Sequence, residues 1–224
     1  MPKTVRNHSL AIFFGLIFAV SLVGQAIAGW HAFNAEQAAA GLGLLSFGRY
    51  VISSDFAVDV AENWQSEYLQ FLLYITATVW LLQRGSPESK ELHKAGLESD
   101  EDQKVGVHAQ QDSPKWAAAG GVRTSVFSWS LTLVMGSIFL ASWAAQSIAG
   151  VIAFNEERLG RLQDPLSWSE YVTNADFWSR TLQNWQSEFL AVGSMAVLSI
   201  YLRQRGSPES KPVGQPHNST GIEG

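Results

Sequence analysis

The five residues Asn63-Trp64-Gln65-Ser66-Glu67 return as Asn184-Trp185-Gln186-Ser187-Glu188, each time ahead of an apolar run. The shift that brings one pentapeptide onto the other also lays Ser9–Lys90 on Ser130–Lys211 without a gap. About 35 of about 82 paired residues are then identical, which is the signature of duplication. The longest identical stretch is Gln83-Arg84-Gly85-Ser86-Pro87-Glu88-Ser89-Lys90, matched from Gln204 to Lys211. A repeat of this length is too long for a solenoid unit and reads as the two-helix half of a bundle. Whatever this chain folds into must therefore be built twice.

Each half begins with a long apolar stretch. Ser9 to Gly29 is interrupted only by Ser21 and Gln25, and its roughly 21 residues suffice to cross a hydrocarbon core of about 30 Å. Lys3, Arg6 and the Ala26-Ile27-Ala28 sequence imitate a cleavable signal peptide. The equivalent run from Ser130 ends in Ser147-Ile148-Ala149-Gly150 deep inside the chain, so a membrane helix is the better reading for both. The helical pattern continues through Phe33-Asn34 and Glu36 to a stop near Gly41, and through Phe154-Asn155 and Glu157 to Gly160.

A short amphipathic helix is expected next, around Leu45–Val51 and Leu166–Val172, lying at the outer membrane surface. Ser167-Trp168-Ser169-Glu170 fits a capping box. Asp55 and Asp176 are the expected N-caps of a second long helix. Its apolar part, Tyr68 to Gln83, is about 16 residues or about 24 Å, shorter than the core it should cross. The pentapeptide must then reach into the membrane boundary, with Trp64 and Trp185 in the interfacial belt and Glu67 and Glu188 about one turn deeper.

The expected architecture is all-α: a four-helix transmembrane bundle from two parallel two-helix repeats, with short amphipathic outer helices. Residues 9–90 form the first repeat, 91–122 a flexible cytoplasmic linker, 123–211 the second repeat and 212–224 a disordered tail. Composition agrees: 46% of residues are hydrophobic and only 16% charged, and the mean hydropathy of +0.03 averages apolar runs against polar segments. Of the 15 Lys and Arg, four (Arg49, Arg158, Arg161, Arg180) fall in the two outer segments, which puts both termini in the cytoplasm. Eleven of the 20 carboxylates lie in those segments if Glu67 and Glu188 are included, so the outer face is acidic.

Two groups of residues stand out as sites. Ser21, Gln25 and Gly29, with Ser142, Gln146 and Gly150, make a small-polar-small stripe along the first helix of each copy; Ser21, Gly29, Ser142 and Gly150 would let helices approach closely. Asn63 and Glu67 share a helical face, as do Asn184 and Glu188, at the depth of Gln25 and Gln146. A pseudo-twofold axis along the membrane normal would gather all six into one polar intramembrane cluster. An ionisable group in a membrane costs about 2.5–3.5 kcal/mol on insertion scales and so finds a partner, a cavity or a proton. The cluster is thus a candidate site for a small cation, a proton or a polar ligand. The alternative is that the glutamates reach the headgroups or cap neighbouring helices, and that the protein is a structural or regulatory membrane module recruiting a protein partner through its acidic outer loops.

Other chemistry finds little support. With no cysteine, thiolate catalysis and Cys-ligated metals are excluded. His8, His31, His93, His108 and His217 form no metal-spaced pair, and no nucleophile–base set can be assembled. No catalytic residue, metal or cofactor is expected. Lys and Arg stand in ones and twos, which excludes a nucleic-acid surface. The expected partners are the lipid bilayer and either a protein partner or a further copy of the chain.

Gln25, Ala28-Gly29, Phe33-Asn34, Glu36, Tyr50, the pentapeptide at 63–67 and the exit peptide Arg84–Lys90, each present twice, resemble the motifs of a family of bacterial multi-pass membrane proteins of unknown function. The resemblance covers all but the linker and tail. It implies a bacterial inner-membrane location and carries no ligand or catalytic residue with it.

Overall fold

The computed structural model describes residues 3–221. In chain order the helices are α1 (Lys3–Asn7), α2 (Ser9–Ala39), α3 (Phe47–Tyr50), α4 (Ser54–Ala77), α5 (Lys115–Ala118), α6 (Gly121–Ser128), α7 (Ser130–Gly160), α8 (Trp168–Tyr171) and α9 (Ala175–Tyr201), with a 3₁₀ turn at Gly106–His108. Among the described residues the fold is all-helical, without strands. The chain forms two compact units, Met1–Ala61 with Ala145–Tyr171 and Glu62–Ala144 with Val172–Gly224. Each draws on both repeats.

Two helices, α2 and α7, are long and apolar enough to cross a membrane. Each has 31 residues, or about 46 Å of helix. Ala26 is the one buried residue of α2, while Leu10, Phe13, Leu16 and Val20 stand open to the surroundings. Such a helix is apolar all round and barely covered by the rest of the protein. Gly41, with φ +70°, ends α2 as expected, and the Leu42 amide returns to Gln37 O at 2.8 Å.

The two short helices occur where expected, and Ser167 with Glu170 closes a true capping box. The Ser167 amide donates to Glu170 Oε2 at 2.7 Å and the Glu170 amide to Ser167 Oγ at 3.3 Å. The caps of the second long helices lie two residues before the expected aspartates. Ser53 Oγ accepts from Phe56 N at 3.3 Å, and Asn174 Oδ1 accepts from Asp176 N at 2.9 Å. Asp55 and Asp176 fall inside the first turn, where their charge meets the positive end of the helix dipole.

The helix α4 stops at Ala77, short of the expected Gln83. The Thr76 hydroxyl bonds back to Leu72 O at 2.7 Å and that of Thr78 to Tyr74 O at 2.7 Å, in a β-branched stretch that propagates a helix poorly. In the second copy α9 runs three residues further by the repeat alignment. There Arg203, which replaces Leu82, caps it by donating to Ser199 O at 3.3 Å and Ile200 O at 3.1 Å.

Residues 91–122 contain the 3₁₀ turn and α5, and α6 begins at their end. Their contacts include Gly96 N donating to Val79 O at 2.7 Å and the Thr124 hydroxyl donating to Trp116 O at 2.8 Å. Residues 212–221, expected to be disordered, lie against the turn that follows α4, with Gly221 N donating to Ser86 O at 3.1 Å.

Candidate functional site

In the first unit the same clamp is built twice between a long helix and the short helix that follows it. The Asn34 side chain brackets one peptide group: Oδ1 accepts from Leu45 N at 2.8 Å and Nδ2 donates to Leu45 O at 2.9 Å. Asn155 does the same with Leu166 at 2.7 and 2.8 Å. The aromatic rings of Tyr50 and Tyr171, both buried, then lie over Gly29 and Gly150. A methyl group on Gly29 would stand 2.3 Å from the Tyr50 hydroxyl, and one on Gly150 would stand 2.5 Å from that of Tyr171. What comes close to these glycines is thus a tyrosine, where the sequence suggested a neighbouring helix. Ser142 is buried and Ser21 is exposed, so the serines of the stripe differ between copies.

Gln25 is half-buried and Gln146 fully buried, both in the first unit. Asn63, Glu67, Asn184 and Glu188 belong to the second. There the structure brings α4 and α9 together through the two pentapeptides. Trp185 Nε1 donates to Gln65 Oε1 at 2.8 Å, and Gln65 has no exposed surface at all. Arg180 Nη1 pairs with Glu62 at 3.3 Å and Arg180 Nε with Asp176 at 3.4 Å. Asn184 turns its amide to Arg180 O on its own helix at 3.0 Å.

Glu67 is exposed and Glu188 half-buried, and the two acids are near enough for Glu67 to act on Glu188 electrostatically. The Ser66 hydroxyl has two acceptors in reach, Asn63 O at 2.9 Å and the Glu188 carboxylate. Beside Trp185, α7 and α9 contribute rings: Trp143 stacks on Phe139 at 5.5 Å and on Phe177 at 6.3 Å, and meets Trp185 at 6.1 Å. Aromatic contacts of this kind hold the Trp185 indole in place on Gln65.

Gln65, Ser66 and Trp143 are the residues to which sequence reasoning gave no role, and Trp185, expected in an interfacial belt, bonds Gln65. The signal was present for Gln65, since Ala61, Gln65 and Leu69 recur at four-residue spacing and are all buried. Trp143 had none, because the first copy carries Leu22 at that place.

These features define an all-helical protein with two helices able to span a membrane and a polar junction between the paired helices α4 and α9. The chain belongs to the family described as Domain of unknown function (DUF6766), which matches residues 1–222. No curated protein and no solved structure matches it.

Proposed function

We propose that the protein is a four-span integral membrane protein of the bacterial inner membrane, made of two parallel two-helix repeats with both termini cytoplasmic, and that the Glu67–Glu188 pair binds a proton or small cation. The role is one of binding, without catalysis. The observation that supports this reading is the junction of α4 and α9, where Trp185 bonds the buried Gln65 and the half-buried Glu188 feels the charge of Glu67. Two like charges repel, and a proton or cation bound by one of them removes the repulsion.

Length supports the placement. The apolar part of α4, Tyr68–Ala77, spans about 15 Å and that of α9, Phe189–Tyr201, about 20 Å, against a core of about 30 Å. Taken whole, α4 and α9 have 24 and 27 residues, or about 36 and 40 Å. They cross only if the pentapeptides enter the membrane boundary, which is where a carboxylate needs a partner.

The test is Glu67→Gln together with Glu188→Gln, read by tryptophan emission as pH and monovalent cation are varied in detergent. Trp185 is three residues from Glu188 and bonded to Gln65, so it reports on the junction. The wild type should show a pH- or cation-dependent change that the double variant lacks. An unchanged response in a folded double variant removes the ion-binding reading.

A further inference from the structure

The exit peptide from Gln83 to Lys90 and its copy from Gln204 to Lys211 fold into the same turn. Ser89 Oγ accepts from Gln83 N at 2.9 Å, and Ser210 Oγ accepts from Gln204 N at 3.0 Å. Their closing lysines then part. Lys90 is partly exposed, donates to Gly96 O at 3.1 Å and pairs with Glu98 at 3.0 Å, an ordinary surface cation with its acid.

Lys211 is 1% exposed, and among the described residues no carboxylate stands within ion-pair reach of it. Its ammonium points into a ring of backbone oxygens: Gly85 at 2.6 Å, His217 at 2.9 Å, Ser219 at 3.2 Å and Pro216 at 3.4 Å. An ammonium has three N–H bonds, so four oxygens saturate it. Burial first, and the charge of Arg203 second, hold this group below the ordinary lysine range. Among the described residues Arg203 and His217 lie beside it, with Arg203 donating to Gln215 O at 2.9 Å and His217 Nδ1 lying 3.0 Å from Ile200 O. A buried cation persists only where its hydrogen bonds are worth the loss of water.

We propose that Lys211 is the pin of a clasp by which the C-terminal tail closes over the exit turn of the first repeat. One oxygen of the ring comes from that turn and three from the tail, so the ammonium ties together segments that are far apart in sequence. Two further bonds cross the same seam: Gly85 N donates to Thr220 Oγ1 at 2.9 Å and Gly221 N to Ser86 O at 3.1 Å. Gly85, at φ +87°, leaves no room for a side chain, since a methyl group there would stand 2.5 Å from His217 O. With the tail down, Ser86 and Pro87 are buried; with it lifted, the exit turn of the first copy becomes free surface.

Hydrogen exchange at the Gly85 and Gly221 amides of the full chain in detergent tests the clasp, since both bonds exist only when it is shut. Lys211→Met keeps the length of the side chain and removes its donors, and should speed exchange at both amides by at least about tenfold, while Lys90→Met leaves them unchanged. A chain ending at Lys211 lacks three of the ring oxygens and the Thr220 partner. In that chain Lys211→Met should produce no further change at Gly85. Wild-type exchange in full-length Lys211→Met, or equal acceleration by the substitution in the full and shortened chains, would overturn the proposal. Retained protection of the α9 amides separates clasp opening from loss of the fold.

Discussion

The two copies of the Asn-Trp-Gln-Ser-Glu pentapeptide are identical in sequence and unlike in surroundings. Gln65 has no exposed surface, whereas Gln186 is exposed; Trp64 is 41% exposed, whereas Trp185 is half-buried and bonded to Gln65. The cause lies outside the peptide. On α4 the turns before it carry Val58 and Ala61, and on α9 the same places hold Ser179 and Leu182, so the helices bury different faces. Trp143 adds to the difference, because it stacks under Phe177 and meets Trp185, while the first copy has Leu22 in its stead. By contrast the Asn–Leu and Gly–Tyr clamps of the first unit are the same in both copies. Duplication has kept the clamp and divided the labour of the pentapeptide: one copy supplies the buried amide and the other the indole and the half-buried acid.

The sharpest way to break this comparison is at the clamp, where the copies should behave alike. Gly29→Ala and Gly150→Ala each force a methyl group into a tyrosine hydroxyl and should each cost about 1–3 kcal/mol in a detergent unfolding titration. Combining Gly29→Ala with Tyr50→Phe, or Gly150→Ala with Tyr171→Phe, should return part of the loss, because the hydroxyl is the nearest atom. Unequal costs, or no recovery in the double variants, would mean that the two clamps are not equivalent.

At the pentapeptide the copies should differ. Gln65→Leu leaves the Trp185 N–H without its acceptor in a buried place and should cost about 1–3 kcal/mol. Gln186→Leu alters an exposed side chain and should fall within about 0.5 kcal/mol of the wild type. Trp185→Phe removes the donor and should make the Gln65→Leu effect smaller, as expected of two groups joined by one bond. Similar costs for Gln65→Leu and Gln186→Leu would restore the symmetry that the structure denies.

The parts of this fold that were legible in the sequence are those decided by neighbours along the chain. The lengths of α2 and α7, the stop near Gly41 and the Ser167–Glu170 capping box follow from hydropathy and local hydrogen bonds. The end of α4 did not, because hydropathy is blind to Thr76 and Thr78 turning their hydroxyls back on the helix. Matching depth along the repeat made Glu67 and Glu188 candidates for one site, with headgroup contact as the alternative. It could not reveal which face of each pentapeptide is buried, since identical residues give identical periodicity and the deciding contact, Trp143, lies on another helix. Nor could a glycine in a long helix announce a tyrosine twenty-one residues later as the group it makes room for.

The smallest expected effect separates the two clamps by charge. Tyr50 is buried between Phe33 at 5.7 Å and Phe56 at 5.6 Å. Burial first, then the negative charges of Asp59 and Asp55, raise its hydroxyl above the ordinary value of 10.0. In the second copy Asp176 matches Asp55, but Arg180 stands where Asp59 is, so the sequence repeats only one of the two acids. Because the folded value is the higher one, the unfolded chain releases this proton first. The stability contributed by Tyr50 is therefore complete below pH 10 and is lost as pH climbs from there through the folded value. Ultraviolet titration of tyrosinate, taken as the difference between the wild type and Tyr50→Phe, should place this residue above free tyrosine, and Asp59→Asn should bring it part of the way back. A Tyr50 that titrates with free tyrosine, or an Asp59→Asn variant that leaves it where it was, would show that the charge difference between the copies does not reach the clamp.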